Sequence, residues 1–193
     1  MPTQVAGALL AAGAGSRLGQ PKALVEFGGR TLAERGFATL TAGGADPVLI
    51  VTGAVEVTVP GALVVANPDW RTGMGSSVRA ALAELAGLDA VGAVVIALAD
   101  QPLVGAESVR RLIAAFADGA SVAVAAYDGQ PRNPVLIARE HWRAVAESAT
   151  GDSGARTFLR ARPDLVTRVE CGDTGRPDDI DTPADLARIA SSL

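Results

Sequence analysis

Residues Val5 to Lys22 read VAGALLAAGAGSRLGQPK, an apolar run that breaks into a glycine-rich loop. Val5 to Leu10 has the length and character of a buried strand, and Leu10 to Lys22 follows it as a loop suited to phosphate. Gly13 and Gly15 allow the backbone to turn tightly and aim several amides at one place. Arg17 and Lys22 add cationic donors, whose bonds to a triphosphate are stronger than neutral ones, and a lysine can follow charge developing at phosphorus. Two better-known glycine loops do not fit. The dinucleotide pattern needs a third glycine where Leu18 stands, and no acid ends the second strand near Thr52 to hold a ribose. The P-loop needs a Gly-Lys-Ser/Thr ending that is absent.

Beyond this loop, short apolar runs alternate with stretches of helical period, which predicts a doubly wound α/β fold with a mostly parallel sheet. Strands are predicted at Val5 to Leu10, Val48 to Val51, Ala62 to Ala66, Ala93 to Leu98, Val122 to Ala126, Pro134 to Ile137 and Val166 to Glu170. Helices are predicted at Leu32 to Thr41, Val78 to Ala86, Ala106 to Ala117, Glu140 to Glu147, Gly154 to Ala161 and Pro183 to Ser191. Thr31 with Glu34 fits a capping box, and Thr182, Pro183 and Asp185 form a similar helix start. The turn-rich runs Tyr127 to Asn133 and Gly172 to Pro177 mark excursions from the alternation. A chain of 193 residues, 49% hydrophobic, suits a single domain over residues 1–193. Aromatic residues are only 4%, so the core must rest on many small aliphatic contacts.

Net charge is −4 and the 17 basic residues are scattered, which argues against polymeric nucleic acid as a partner. A small phosphorylated ligand needs only a local site. The lone Cys171 cannot form an internal disulfide, and cytoplasm is the expected compartment. No lysine or arginine precedes the apolar start, and the longest uncharged run, the first 16 residues, is too short for a membrane span.

Two acidic motifs complete the chemistry. Asp100 in ALADQP, residues 97–102, follows an apolar strand and stands where open α/β sheets place their ligands. It is suited to hold Mg²⁺, or else it is a turn or cap carboxylate. Asp181 in DIDTP, residues 179–183, completes that site from the other side, or serves only the helix start that follows it.

LAAGAGSRLGQPK, NPDWRTGMGSSVRAAL, LADQP, RNPVLI, GDSGAR and DIDTP, in that order, resemble the MobA-like nucleotidyltransferases, most closely the molybdenum cofactor cytidylyltransferases. The resemblance covers nearly the whole chain. It implies a nucleotide site of Leu10, Ala11, Ala12, Gly13, Gly15, Ser16, Arg17, Lys22, Gly75, Ser77 and Asp100, with Lys22, Arg17 and Asp100 catalytic and Mg²⁺ held by Asp100 and Asp181. It implies acceptor contacts at Gln101, Pro102, Arg132, Asn133, Pro134, Asp152 and Arg156. LAAG at residues 10–13 resembles the cytidylyl rather than the guanylyl enzymes, implying CTP. The implied acceptor is molybdopterin carrying molybdenum, with transient docking to a molybdoenzyme or its chaperone. The acceptor segment departs from the glycine-histidine-proline run of many relatives, reading Arg132, Asn133, Pro134 instead. Other small phosphates, GTP, a dinucleotide-dependent oxidoreductase and a non-catalytic cofactor-delivery module are the rival readings. His141, Trp142 and Cys171 are expected to be structural, with Trp70 the aromatic that has the better claim to a ligand.

Overall fold

The computed structural model describes residues 3–191. The chain starts with β1 (Gln4–Leu10), followed by a short hairpin of β2 (Glu26–Phe27) and β3 (Arg30–Thr31), α1 (Leu32–Ala42), β4 (Val48–Thr52) and β5 (Leu63–Ala66). It continues through α2 (Met74–Ala86), β6 (Val91–Leu98), α3 (Ala106–Ala117), β7 (Val122–Tyr127) and β8 (Gln130–Ala138). The last elements are α4 (Trp142–Ser148), α5 (Arg156–Ala161), β9 (Val166–Glu170) and α6 (Pro183–Ala190). Seven strands form one sheet in the order β5-β4-β1-β6-β8-β7-β9. The pairings β5–β4, β4–β1, β1–β6 and β7–β9 are parallel, while β8 runs antiparallel to both β6 and β7.

Both faces of the sheet are covered, as the doubly wound fold requires. Ala33 and Leu40 of α1 and Val109 and Leu112 of α3 pack on the face carrying Leu9, Ile50, Val95 and Leu136. Val78, Ala81, Leu82 and Leu85 of α2, with Trp142, Val145 and Phe158, cover Ala8, Leu49, Val94 and Ile137 on the other. From Val5 onward, successive residues of β1 serve opposite layers, which is why this stretch is apolar and does not alternate with polar residues. Both predicted capping boxes form, at Thr31 with Glu34 and at Thr182 with Asp185.

The largest departures from expectation fall in three places. Helix α2 begins at Met74, four residues before Val78, because Gly73 takes a φ of 106° and turns the chain into the helix. Strand β8 begins at Gln130, since Gln130 and Pro131 pair with Tyr127 and Ala126 across an irregularity in β7, converting a turn-rich run into a hairpin. The β2–β3 hairpin turns through Gly28 and Gly29, both at positive φ, where other residues would be strained. Phe27 from that hairpin joins Val25, Leu32, Ile180 and Ile189 in a small separate core, which fastens the C-terminal segment beside the first loop. Among the described residues, no helix is long and apolar enough to cross a membrane.

Candidate active site

Parallel pairing of β1 with β6 places Leu10 opposite Leu98, and the Ala99 amide donates to the Leu10 carbonyl at 3.1 Å. The glycine loop and the Asp100 turn therefore leave the sheet side by side, at the carboxyl ends of adjacent strands. Gly15 sits at φ 61°, and a Cβ there would lie 2.0 Å from the Gln20 carbonyl oxygen, so the loop closes only with glycine. The Leu18 amide donates to the Gly15 carbonyl at 2.8 Å and the Lys22 amide to that of Gly13 at 3.3 Å. Among the described residues, the backbone N–H groups of Gly13, Ala14, Gly15 and Ser16 find no acceptor, leaving a run of donors of the kind that receives phosphate oxygens. Gly13 itself has an ordinary φ, and an added Cβ would approach nothing closer than 3.8 Å.

Lys22 lies between two carboxylates drawn from distant segments. Its Nζ donates to Asp100 Oδ2 and to Asp181 Oδ1, each at 2.6 Å, and Arg17 reaches Asp181 Oδ2 at 3.3 Å. Burial alone would pull the ammonium pKa down, but the Asp100 charge and the hydrogen bonds to both carboxylates outweigh it, so the net shift is upward and Lys22 stays charged. The hydrogen bond from Lys22 is the chief cause holding the Asp181 carboxyl below its usual range. Asp181 is not the helix cap: Thr182 and Asp185 fill that role, leaving the Asp181 side chain to face Lys22 and Arg17. Asp100 does not cap α3 either, which starts after Gly105.

The residues present fit a divalent cation. Two hard carboxylates already converge on one positive charge, and Asp100 Oδ1 is buried without a hydrogen-bond partner. Among the described residues no cluster of three or more His, Cys, Asp or Glu ligands forms. A cation here would complete its shell from substrate oxygens and water, as Mg²⁺ usually does.

A cleft of about 380 Å³ opens over this group. Leu10, Ala11, Ala12, Gly13, Ala14, Ser16 and Lys22 line one side, Leu98, Ala99 and Asp100 its floor, and Trp70, Arg71, Gly73, Met74, Ser77 and Asp152 the opposite wall. That wall is braced. Asn67 donates to Ser76 Oγ at 2.8 Å and to Ser77 Oγ at 3.1 Å, while its Oδ1 accepts from the Asp69 amide at 3.0 Å. Gly73 and Gly75 have no room for a side chain, because a Cβ would meet Gly151 at 2.5 Å and Ala149 at 2.7 Å. The Arg71 guanidinium stacks on the Trp70 ring at 4.5 Å.

The structure thus brings together Leu10, Ala11, Ala12, Gly13, Ser16, Lys22, Ser77, Asp100 and Asp152 around one cleft. Gly15 shapes the loop from behind, Arg17 reaches the cluster through Asp181, and Gly75 is buried within the first turn of α2. Gln101, Pro102 and Pro134 line a small separate cavity of about 20 Å³. Arg132 and Asn133 lie in β8 and Arg156 begins α5, none of them in the cleft wall. Asn67, Arg71, Met74 and Asp179 were not singled out from sequence. The NPDW run and the Gly-Met-Gly spacing were the available signals for the first three. His141 bonds Ser121 Oγ at 3.0 Å and Cys171 is buried, neither lining the cleft.

Residues 7–166 match the MobA-like NTP transferase domain. The chain belongs to that family. It is accordingly a nucleotidyltransferase of the MobA-like type, with the Rossmann-like sheet of its structural neighbours. The chain is 39% identical to nicotine blue oxidoreductase of Paenarthrobacter nicotinovorans, covering 96% of both chains. An Rv0371c homologue from Mycobacterium sp. strain JC1 superposes with a TM-score of 0.85 at 30% identity, over 97% of this chain and 96% of that one. Rv0371c of Mycobacterium tuberculosis H37Rv, solved in complex with manganese, gives a TM-score of 0.80 at 26% identity, over 99% of this chain and all of the other.

Proposed function

We propose that this MobA-like protein transfers CMP from CTP to a small phosphorylated acceptor, molybdopterin carrying molybdenum, and releases pyrophosphate with Mg²⁺ held by Asp100 and Asp181. The observation that carries this reading is the Lys22 ammonium between Asp100 and Asp181, set beside a row of unpaired loop amides. In this reading the amides of residues 13–16 bind triphosphate oxygens while Lys22 and Arg17 offset charge on the phosphates. An acceptor phosphate oxygen forms the new bond to the α-phosphorus of CTP, and the bond from that phosphorus to pyrophosphate breaks. A bound divalent cation supplies further charge neutralisation at the phosphates. Because the acceptor is already an anion, no side chain has to remove a proton from it, and the protein's task is alignment and electrostatics. That the mycobacterial relative was solved in complex with manganese supports the use of a divalent cation.

The choice of CTP is supported by the wall at Ala12. Gly53 and Trp70 stand behind the Ala12 methyl, since a Cβ on Gly53 would lie 2.9 Å from the Ala12 Cβ and 2.5 Å from the Trp70 Cβ, and on this reading the methyl narrows the space beside the base. The resemblance of LADQP and the segments after it to the molybdenum cofactor cytidylyltransferases supports the acceptor. Pyrophosphate release measured with each of the four nucleoside triphosphates, Mg²⁺ and molybdopterin tests the reading. CTP is expected to give the largest kcat/KM, and a preference for GTP would overturn the cytidylyl assignment.

One observation favours a second reading: the 39% identical relative is named an oxidoreductase. On that reading the cleft holds a nicotinamide dinucleotide and the protein carries out hydride transfer. The loop lacks the third glycine of the dinucleotide pattern, having Leu18 there, which weighs against it. Oxidation of NADH or NADPH without pyrophosphate release from any triphosphate would decide in its favour.

A further inference from the structure

We infer that Gln101 is a positioning residue, which sets the Asp181 carboxylate beside Lys22 and Asp100 through a hydrogen bond to Asp179. Asp181 arrives on a segment far from Asp100 in sequence, so something must fix the distance between them. The Ile180 amide donates to the Asp100 carbonyl at 2.8 Å, and the Ile180 side chain is fully buried in the small core with Phe27 and Leu32. The side chain that spans the two segments is Gln101. Its Nε2 donates to Asp179 Oδ1 at 2.8 Å and, more distantly, to the Pro177 carbonyl at 3.4 Å. Gln101 is only 8% exposed and lines the small separate cavity and not the cleft, so its Nε2 serves the segment carrying Asp181 while Oε1 is buried without a partner among the described residues. Asp179 and Asp181 flank the buried Ile180, so the bond to Asp179 helps hold the backbone that presents Asp181.

The inference rests on the proposed role of Asp100 and Asp181 toward a divalent cation. Mn²⁺ binding, read from the electron paramagnetic resonance of the free ion with the wild type and folded variants, separates the two. Gln101→Met keeps the bulk and removes both donors. Gln101→Glu sets a carboxylate against the Asp179 carboxylate while adding a negative charge, which by simple attraction should strengthen cation binding. Both are expected to weaken Mn²⁺ binding about tenfold, the lower range for loss of a group that orients a ligand. Gln101→Glu combined with Asp179→Asn returns the net charge to that of the wild type and reverses the hydrogen bond, the asparagine amide donating to the glutamate. This pair is expected to restore affinity, with the KM of the acceptor unchanged throughout. Unchanged Mn²⁺ affinity in both single variants, or an acceptor KM that moves while Mn²⁺ affinity holds, would overturn the positioning role. A wild type that binds no Mn²⁺ would instead overturn the cation reading itself.

Discussion

Replacing Lys22 by methionine should move two measurements in opposite directions. At an effective dielectric of about 20, a unit-charge contact of 2.6 Å is worth roughly 6 kcal/mol before solvation is counted, and Lys22 makes two of them. Removing the three groups from water cancels most of that attraction, and Asp181 keeps 35% of its side chain exposed. A net interaction of about 1–2 kcal/mol remains, which corresponds to a change of roughly tenfold in an equilibrium. In the nucleotide-free protein the ammonium occupies the position between the carboxylates, so a divalent cation must compete with it. Lys22→Met removes the competitor and leaves two facing anions with only Arg17 as a partner on Asp181. Mn²⁺ titration without nucleotide is expected to show about tenfold tighter binding than the wild type. Turnover with nucleotide and acceptor should fall about a hundredfold or more, because a preorganised cation at the phosphates is lost. Thermal melting confirms that the variant is folded. Mn²⁺ affinity that is unchanged or weaker in the folded variant refutes the competition, and near-normal turnover refutes the phosphate role.

Asp100→Asn is expected to weaken Mn²⁺ affinity and activity more than Asp181→Asn, since Asp100 leaves an inner strand and holds the buried unpartnered oxygen; parallel metal titrations compare them. Ala12→Gly should shift the CTP to GTP ratio of kcat/KM toward GTP by about 1–3 kcal/mol at most, measured by direct competition, and an unchanged ratio removes Ala12 from base selection. Burial pushes the Tyr127 phenol up to about 12. With burial as the cause, the raised pKa takes nothing from stability below the unfolded value near 10 and lowers it progressively as pH rises through 12. Tyr127→Phe should therefore lack that alkaline loss, as denaturant unfolding between pH 7 and 12 would show.

The parts of the molecule legible in the sequence are those whose physics is local. Apolar runs of strand length gave the positions of β1, β4, β6 and β7, and the side-chain chemistry of Thr31 with Glu34 and Thr182 with Asp185 marked two helix starts. The first turn of α2 was missed for a related reason. Gly73, Gly75, Ser76 and Ser77 look like loop residues, yet they are small because Gly151 and Ala149 pack against the helix there, and Asn67 bonds both serines. The β2–β3 hairpin has two residues on each side of Gly28 and Gly29, too few to show an alternation.

The site divides along the same line. Lys22, Asp100 and Asp181 could each be picked out by residue type and by position after a strand or before a helix, but the two carboxylates then had an ordinary structural alternative. What removes those alternatives is non-local: Gly105 and the Thr182–Asp185 pair do the capping, and the freed carboxylates meet on one ammonium across 78 and 159 residues of sequence. The same holds for Gln101, a polar side chain beside a candidate ligand that the resemblance assigns to the acceptor. Only the bond to Asp179, made through a segment that the Phe27 core holds in place, assigns the amide to orienting Asp181. A side chain that acts on a site through a second residue leaves no periodic or spaced pattern of its own. Its signature is a buried polar group with its donors turned away from the cleft, and that can be seen only once the chain has folded.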